Sequence, residues 1–468
     1  MLTKKCLAVF VCLSFPLFLF SADFIQEPVP IKVQRLSERA INLRVGDADE
    51  FGHIICNNVL AVSTKKGIVI IDTGYYPQSA VYLRELAAKE FGRSDFAYVI
   101  NTHSHWDHIN GNQAFEDVKI IAHENTVPAI QTLEKGLKYF INQRKERVRD
   151  WKNTLKDAEP GSELELMARG WSYAHQRFID EFEQGFKIVY PAITFKEQLS
   201  LDLGDLKLES IYFPDFHSDN DILVYIPEEK ILACGDLFYH NSLPAIKHSA
   251  VHNIPKWLEI MELLLADTNS VKTIIPGHGT LLSYQEVKDE WDYVSGVFRR
   301  VTKTREKGIP FEQTAEKLDF ETHFSHLKLF PASSSNIAKH SMNIESIWNN
   351  TKKPAVTVFI DLLEEKDADT ARVQFNNSYR NNENYYIRRD EFIDRGYDYF
   401  LFGEYEKAAA VLSLTADMFP DEWDVRDLLG DVFLKAREQE KAKKAYQKAV
   451  EINPDNSYVR DKLNRLSN

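Results

Sequence analysis

The sequence predicts an α/β domain followed by an all-α module of helical repeats. Up to about residue 352 of the 468-residue chain, short apolar runs alternate with amphipathic helical stretches, which is typical of α/β layering. Side chains that bind metals cluster directly after one of these apolar runs. Beyond residue 352 the apolar period is helical throughout, and a pattern recurs after 34 residues. These observations divide the chain into a domain that carries chemistry and a helical region behind it.

The α/β part opens with four predicted strands. Each is an apolar run bounded by polar turns, at residues 31–36, 40–45, 54–63 and 68–72. Residues 77–91 then show apolar side chains at helical spacing behind Pro77, a residue favoured in the first turn of a helix. The next apolar run, Phe96 to Ile100, predicts a buried strand, and the metal-binding side chains begin just after it.

Four metal-capable side chains fall within six residues after this strand: His103, His105, Asp107 and His108. A tight loop can point alternate residues the same way, so His103 and His105 can bind one ion while Asp107 and His108 reach a second. Imidazole and carboxylate suit zinc, and water bound to zinc ionises near neutral pH. A lone histidine is usually a packing or surface residue, but four such side chains at this spacing rarely arise by accident. The loop therefore predicts a metal site.

This motif resembles the signature of the metallo-β-lactamase superfamily, and other segments extend the resemblance. An Asp-x-Gly turn follows a strand at Asp72, and the family's later ligand positions are matched in order by His217, Asp236 and His278. The resemblance implies an αββα sandwich with two metal ions. Their implied ligands are His103, His105 and His217 for the first, Asp107, His108 and His278 for the second, and Asp236 as the bridge. Aspartate at the bridge is similar to the glyoxalase II, lactonase and sulfatase members, which disfavours a dedicated β-lactamase.

The resemblance also implies an activity. It predicts a hydrolase in which a hydroxide held between two Zn²⁺ ions, with Fe or Mn as alternative metals, cleaves an ester, thioester, lactone or amide bond of a small-molecule substrate. In this interpretation Asp107 orients the nucleophile. Tyr239 and His240, which follow Asp236 closely in the chain, are the candidate proton donors.

Three other functions remain open from the sequence. Metallo-β-lactamase activity would be detected with a chromogenic cephalosporin. A mononuclear iron sulfur dioxygenase has a similar fold with fewer ligands, and one bound iron with oxygen uptake on a persulfide would identify it. A non-catalytic binding module would lack some ligands, whereas this chain has the complete seven-residue set.

Residues 124–190 depart from a minimal member of this family. Two helices are predicted there, separated by Pro160-Gly161, with aromatic residues such as Trp171 and Phe178 at helical spacing. Such an aromatic stripe usually belongs to a core. The alternative is a helical hairpin that caps the metal cleft and shapes the substrate site.

The catalytic domain is predicted to span residues 23–352, and residues 353–385 form a linker with a degenerate helical segment. Within residues 386–468 three positions recur 34 residues later, the tetratricopeptide period: Gly396, Ala408 and Pro420 as Gly430, Ala442 and Pro454. Two such repeats are fewer than the roughly three that normally bury a solenoid core. The module is therefore expected to brace the enzyme, to mediate self-association or to bind a protein partner.

The N-terminus predicts export. Residues 1–22 contain a basic head, an apolar run and small residues before an acid, which is the pattern of a secretory signal peptide; left uncleaved, the segment would act as a membrane anchor. Its removal deletes Lys4 and Lys5 and no acid, so the formal charge goes from −13 to −15. Such a surface disfavours nucleic acid as a partner. We therefore expect a secreted or periplasmic protein that acts on a small molecule.

Overall fold

A computed structural model describes most of the chain. The described residues are 29–46, 57–214, 216–238, 240, 242–247, 250–327, 333–454 and 456–466. The predicted signal peptide, the first residues of the third predicted strand and Tyr239 lie outside them. Within the described ranges, none of the helices combines the length and the apolar character that a membrane crossing requires.

The first sheet has seven strands that follow one another in chain order. They are β1 Ile31–Arg35, β2 Ala40–Val45, β3 Asn57–Thr64, β4 Gly67–Ile71, β5 Phe96–Ile100, β6 Lys119–His123 and β7 Ile193–Phe195. Strands β1 to β4 pair antiparallel, and β4 to β7 pair parallel. Parallel neighbours end at the same edge of the sheet, so the loops after β4, β5 and β6 lie side by side.

The second sheet has five strands in the order β12-β11-β10-β9-β8. They are β8 Gln198–Asp202, β9 Lys207–Phe213, β10 Asp221–Ile226, β11 Ile231–Gly235 and β12 Thr273–Pro276. Strands β8 to β11 form an antiparallel meander, and β12 adds in parallel beside β11. The five strands predicted above all belong to the first sheet and are present over their described residues, with ends that differ from the predicted ones by a few residues.

Helices cover both sheets and make up the C-terminal region. In the described ranges they are α1 Pro77–Phe91, α2 Trp106–Ile109, α3 Thr126–Asp157, α4 Glu163–Glu183, α5 Ile254–Ala266, α6 Tyr284–Glu306, α7 Phe311–Lys317, α8 Phe320–Phe324, α9 Ser334–Trp348, α10 Ala355–Glu365, α11 Ala368–Ser378, α12 Arg389–Leu401, α13 Tyr405–Met418, α14 Trp423–Lys435, α15 Gln439–Ile452 and α16 Ser457–Arg465. Three 3₁₀ turns and a small parallel ribbon join them, at Asn110–Phe115, Val251–Asn253, Asn349–Thr351, and β13 Lys353–Pro354 with β14 Tyr385–Tyr386.

Three buried clusters show that the α/β part has four layers. Because side chains alternate along a strand, Val69 of β4 packs into a cluster shared with the second sheet, whereas Ile70 packs toward helix α1. On the outer face of the second sheet, Leu232 of β11 packs with Trp257 of α5 and Val294 of α6. The order helix, sheet, sheet, helix confirms the predicted αββα sandwich.

The insertion between β6 and β7 consists of α3 and α4, here called the cap hairpin. The predicted break at Pro160-Gly161 is confirmed, since α3 ends before it and α4 begins after it. The side chain of Ser162 caps α4 by accepting a hydrogen bond from the Glu165 amide at 3.1 Å. Ile141 and Phe178 join the cluster on the outer face of the first sheet, so the hairpin stands on that face.

Helices α10 to α16 form an all-helical region, here called the C-terminal module. The two glycines that recur after 34 residues both allow helices to approach closely. A Cβ atom on Gly396 would lie 2.7 Å from the Leu412 side chain, and one on Gly430 would overlap the Tyr446 ring. The predicted all-α region is confirmed, while its assignment to the tetratricopeptide type stays a prediction.

The C-terminal module packs against the cap hairpin. A Cβ atom on Gly136 of α3 would lie 2.9 Å from the side chain of Leu401 in α12. The Lys135 ammonium group lies 3.9 Å from the centre of the Phe402 ring. Helix α3 therefore packs against both the α/β sandwich and the C-terminal module.

Candidate metal centre

The predicted ligands lie on loops at the ends of neighbouring strands. The loop after β5 carries the motif from His103 to His108, and the loop between β9 and β10 carries His217. Strand β11 ends directly before Asp236, and β12 ends two residues before His278. The two sheets face each other, so loops from both sheets meet at one edge of the sandwich.

The first group of candidate ligands is His103, His105 and His217. One ring nitrogen of each lies within 4.8 Å of the others. His217 Nε2 is 2.8 Å from His105 Nδ1, and the rings of His103 and His105 have centroids 4.6 Å apart. Three converging imidazole nitrogens match a tetrahedral zinc site that keeps a fourth position open.

The second group is Asp107, His108 and His278, again with one ligand atom of each within 4.8 Å of the others. Asp107 Oδ2 lies 3.0 Å from His278 Nε2 and 3.6 Å from His108 Nε2. The structure thus brings together the second predicted set as well as the first.

Asp236 lies between the two groups. Its Oδ1 is 3.3 Å from His108 Nε2, and its Oδ2 is 3.3 Å from His217 Nε2 and 3.4 Å from His278 Nε2. One carboxylate therefore contacts histidines of both groups. This is the position that a bridging ligand requires.

The donor atoms fit a pair of metal ions. Nε2 of His103 is buried and has no hydrogen-bond partner among the described residues, and the buried Nε2 of His108 and Oδ1 of Asp236 have none beyond their 3.3 Å contact with each other. Buried polar atoms without partners cost free energy unless a ligand satisfies them. Imidazole nitrogens and a carboxylate oxygen are suited to coordinating zinc. The assignment of these residues as metal ligands stays a prediction, and this geometry supports it.

Burial and neighbouring charges divide the imidazoles into two classes. Burial lowers the pKa of His103 well below its usual value and that of His217 to about 3, so both are neutral at pH 7. Burial opposes protonation of His278 too, but Asp236 and Asp107 outweigh it and raise its pKa to about 10. Burial likewise opposes ionisation of Asp236, yet His278 and its other imidazole neighbours hold that pKa well below its usual range. The second group thus has protons that a cation would displace.

Asp72 orients the second group from behind. Its Oδ2 accepts hydrogen bonds from His108 Nδ1 at 2.8 Å and from Thr102 Oγ1 at 2.7 Å, and its Oδ1 accepts one from the Thr102 amide at 2.7 Å. Asp72 has φ 59°, an uncommon value for a residue other than glycine, and these bonds hold it there. Because Nδ1 of His108 is occupied, its Nε2 is the atom available to a metal.

The residues that follow His217 hold its loop in place. Asp221 Oδ2 accepts hydrogen bonds from the amides of His217 at 2.8 Å and Ser218 at 2.7 Å. Asn220 Oδ1 accepts one from the Ser104 amide at 2.8 Å, which joins this loop to the loop after β5. The two loops of the first group are therefore fixed relative to each other.

A cavity of about 250 Å³ opens beside the two groups. His105 and Asp107, one residue from each group, line it. The remaining walls are Asn57, Tyr75 and Trp106 from the α/β sandwich and Leu133, Arg144, Trp171 and Ala174 from the cap hairpin. Trp171 of the hairpin therefore lines the cleft, whereas Phe178 packs in the core. The role of the hairpin in shaping the substrate site stays a prediction.

His240 lies beside the second group and is not among the described residues that line the cavity. Its Nδ1 is 2.5 Å from Glu286 Oε1, its Nε2 is 3.1 Å from Thr280 Oγ1, and its ring packs against Gly279. These contacts occupy both ring nitrogens. Tyr239 lies outside the described residues. The proton-donor role of either residue stays a prediction.

A comparison of the sequence with protein families agrees with this geometry. Residues 52–278 match the sequence profile of the "Metallo-beta-lactamase superfamily". The chain contains a metallo-β-lactamase superfamily domain. The matched range ends at His278, so it includes all seven candidate ligands. Superfamily relatives are hydrolases and are usually dinuclear metal-dependent enzymes.

Individual relatives cover the same region. "Metallo-beta-lactamase type 2" of Bacillus cereus is 22% identical over 228 residues, which are 49% of this chain and 69% of that protein. "Acyl-coenzyme A thioesterase MBLAC2" of Bos taurus is 26% identical over 230 residues, which are 47% of this chain and 72% of that protein. Among solved structures, the inverting sec-alkylsulfatase Pisa1 from Pseudomonas sp. is similar with a TM-score of 0.47 at 13% identity, covering 90% of this chain and 66% of that one.

The support that Asp72 gives to His108, and the positions of Tyr75 and Arg144 in the cavity wall, did not follow from the sequence. Asp72 was part of the quoted turn, but its bonds to Thr102 and His108 depend on how β4 and β5 pair. Arg144 did have a signal in the sequence. It lies at helical spacing on the apolar stripe of α3, where a charged side chain is unusual.

Proposed function

We propose that this protein is a dinuclear zinc hydrolase that cleaves an ester, thioester, lactone or amide bond in a small-molecule substrate. The observation that carries the proposal is the position of Asp236, whose two oxygens each lie 3.3 Å from a histidine of a different ligand group. Zinc is proposed because small sets of imidazole and carboxylate ligands suit it well among the common divalent ions.

Two zinc ions in this site would supply Lewis-acid activation of water and of a carbonyl oxygen at neutral pH. The proposed holders of the ions are His103, His105 and His217 on one side, Asp107, His108 and His278 on the other, and Asp236 between them. Asp107 also lines the cavity, and its Oδ2 lies 3.4 Å from Asn57 Nδ2 as a hydrogen-bond acceptor. These contacts support the proposal that Asp107 orients a water molecule toward a bound substrate.

The composition of the cavity supports a substrate with an apolar part. Trp106, Leu133 and Trp171 provide an apolar wall next to His105 and Asp107. The relatives named as a thioesterase and as a metallo-β-lactamase support hydrolysis at an acyl carbon. Among the bonds proposed above, an ester or a thioester is the first to be tested.

The test is a metal analysis of full-length protein purified without chelator, followed by a panel of ester, thioester, lactone and lactam substrates. We expect about two zinc ions per chain and turnover of at least one acyl substrate. His105→Ala should abolish turnover and lower the zinc content, with little change in helical content, because His105 lies on a loop. His252→Ala, which changes an exposed histidine of a 3₁₀ turn, is the matched control and should have no effect.

Other outcomes of the same panel identify the alternatives. Turnover of the lactam alone would identify a β-lactamase. A single bound iron with oxygen uptake on a persulfide would identify a sulfur dioxygenase. The proposal would be contradicted by a protein that is isolated without metal and binds none of these substrates even after zinc is added.

We also propose that residues 1–22 direct export to the periplasm or the medium. The support is their sequence pattern, a basic head followed by an apolar run. Cell fractionation and the intact mass of the mature chain test this proposal. If the segment is a cleaved signal peptide, the exported chain should lack residues 1–22. If it acts as an anchor, the full-length chain should be found in the membrane fraction.

The C-terminal module is proposed to brace the catalytic domain, with self-association or binding of a protein partner as further roles. The close approach of Gly136 to Leu401 supports bracing. Analytical ultracentrifugation of the full chain tests self-association. A monomer at all concentrations would restrict the module to bracing or to binding a different protein.

A further inference from the structure

Two polar side chains line the cavity without belonging to the candidate ligands or contacting them through a hydrogen bond. The first is Tyr75, at the start of the segment that leads into α1. Its ring stacks on Phe178 with centroids 5.1 Å apart, and its hydroxyl is buried with no hydrogen-bond partner among the described residues. Burial raises the pKa of Tyr75 to about 12, so the hydroxyl keeps its proton and can donate. A buried donor of this kind is costly unless something binds it.

The second polar side chain is Arg144 of α3. Its guanidinium lies 4.3 Å from the centre of the Phe140 ring, and its Nη1 is 2.5 Å from His175 Nδ1. Burial lowers the pKa of His175 to about 3, so this partner is neutral and does not balance the charge of Arg144. Among the described residues, no carboxylate forms an ion pair with Arg144. An arginine offers five N–H donors, so this contact leaves others to be satisfied.

Arg177 of α4 shows how the same hairpin holds an arginine with a structural role. It is buried, with Nε 2.9 Å from Glu181 Oε1 and Nη1 2.9 Å from the Tyr173 hydroxyl. Arg177 therefore has a carboxylate of its own helix to balance its charge, and it does not line the cavity. Arg144 lines the cavity and has no such carboxylate in the described chain.

Tyr75 and Arg144 act on each other and neighbour the metal ligands. Apart from burial, Arg144 is the strongest influence on the pKa of Tyr75, which it lowers, and Asp107 follows with the opposite effect. Tyr75, Arg144 and Asp107 all line this one cavity.

We infer that Arg144 and the Tyr75 hydroxyl form a subsite for an anionic group, and that the substrate joins this group to an apolar body. The inference rests on the proposed function and specifies its substrate class. A carboxylate, sulfate or phosphate would accept charge-assisted hydrogen bonds from the guanidinium and a further bond from the hydroxyl. The apolar body would lie against Leu133 and Trp171, with the scissile bond near Asp107.

A binding measurement tests the subsite without requiring turnover. Metal-free full-length protein is titrated with 4-phenylbutyrate and with its neutral amide, so that zinc does not contribute to binding of the carboxylate. We expect the carboxylate to bind about tenfold more tightly than the amide, because a hydrogen bond to a charged group contributes that much. Arg144→Met should remove most of this preference, and Tyr75→Phe, which removes one oxygen atom, should reduce it about threefold.

Two matched controls separate the subsite from general effects on the fold. Arg147→Met removes the same charge one turn along α3, at a residue that does not line this cavity. Tyr76→Phe removes the hydroxyl of the neighbouring buried tyrosine, which also has no hydrogen-bond partner among the described residues. Both controls should keep the preference for the carboxylate. Equal binding of acid and amide by the wild type, the absence of any binding, or equal losses in the controls would overturn the inference.

A kinetic measurement then connects the subsite to the proposed function. With zinc-loaded protein, Arg144→Met should raise KM about tenfold for the anionic ester mono-4-nitrophenyl glutarate and leave KM for neutral 4-nitrophenyl pentanoate nearly unchanged. Arg144→Lys keeps the charge and should retain part of the preference. If no ester is hydrolysed but the carboxylate is preferred in binding, the hydrolase proposal fails and the subsite stands. If esters are hydrolysed without any preference for the anionic one, the subsite fails alone.

Discussion

Buried charged groups occur in both the C-terminal module and the metal centre, and the two regions satisfy them in opposite ways. In the module, Lys462 donates hydrogen bonds to Asp427 at 2.8 Å and to Asp431 at 2.7 Å. In the metal centre, Asp236 lies within 3.4 Å of His108, His217 and His278, yet its Oδ1 and the Nε2 of His103 have no hydrogen-bond partner among the described residues. Buried charges that are balanced within the chain stabilise the fold, whereas buried polar atoms without hydrogen-bond partners mark a place for a ligand.

The largest expected effect is on the balanced charges of the module. Lys462→Met leaves Asp427 and Asp431 without their cation, and removing one partner of a buried ion pair costs about 3–5 kcal/mol. The Lys462 side chain is 13% exposed, so we expect a value near the lower end of that range. Chemical denaturation measures the loss, and activity per folded molecule should be unchanged.

The control is Lys448→Met, which removes a lysine whose partner Glu451 is exposed. Such a surface pair contributes little, and the free energy of unfolding should change by less than about 1 kcal/mol. If Lys462→Met and Lys448→Met lower the free energy of unfolding equally, the buried ion pairs of Lys462 contribute no more than a surface pair. The contrast with the metal centre would then be wrong.

An intermediate effect is expected at the residue that supports the metal centre from behind. Asp72→Asn keeps a residue type that tolerates positive φ, so the backbone can stay in place, but it cannot accept all three hydrogen bonds from Thr102 and His108. Loss of such support typically lowers metal affinity about 10–100-fold. Competition with a chromogenic chelator measures the zinc affinity. Asp117→Asn, at an exposed carboxylate paired with Arg84, serves as the control.

An unchanged zinc affinity with a lower melting temperature would show that Asp72 is only a structural residue of the turn. In that case Asp72 would belong with the charges that stabilise the fold, and only His108 would belong with the groups that bind a ligand.

The smallest effect concerns the cap hairpin, where His175 keeps the neutral form that accepts a hydrogen bond from Arg144. Burial lowers its pKa from 6.5 to about 3. Between these values the unfolded chain binds more protons than the folded one, so stability is complete above pH 6.5 and falls as the pH decreases. The slope from one such group is at most about 1.4 kcal/mol per pH unit.

Melting curves between pH 7.5 and pH 5 for the wild type and His175→Gln measure this contribution. The variant should be less stable at pH 7.5 and should lose less stability on acidification. If the two proteins lose stability in parallel, the imidazole of His175 is not held neutral in the folded state, and its hydrogen bond to Arg144 does not form as described.

The strands and ligands of the sandwich were largely predictable because their signals are local. These signals can be read from one sequence. They are the spacing within one loop of His103, His105, Asp107 and His108, and the apolar runs before each later ligand. The start of helix α9 at Ser334 has no periodic signal in the sequence, because the helical apolar period is seen only over residues 342–348. Its first residues are polar and lack an apolar period, and a side-chain cap from Ser333 to the Asn336 amide at 3.2 Å marks its start.

The cap hairpin shows where local signals end. Its two helices and the break between them were predicted correctly, but the periodic stripe does not tell which residues meet the sheet and which meet the cavity. Phe178 packs in the core and Trp171 lines the cavity, although both lie on the same side of one helix. The packing of the hairpin on the sandwich decides this, and it depends on contacts between residues far apart in the chain.

By itself the sequence determined the elements and the four candidate ligands between His103 and His108, because these follow from apolar periods and short spacings. His217, Asp236, His278 and the division into two groups followed from the resemblance to the superfamily. Only the tertiary structure decided that Asp236 contacts both groups, that Asp72 supports His108, and that Tyr75 and Arg144 share one cavity. Each of these facts joins residues on separate elements, and the pairing of strands and the packing of helices fix their distances. The number of residues between two positions in the chain does not determine these distances.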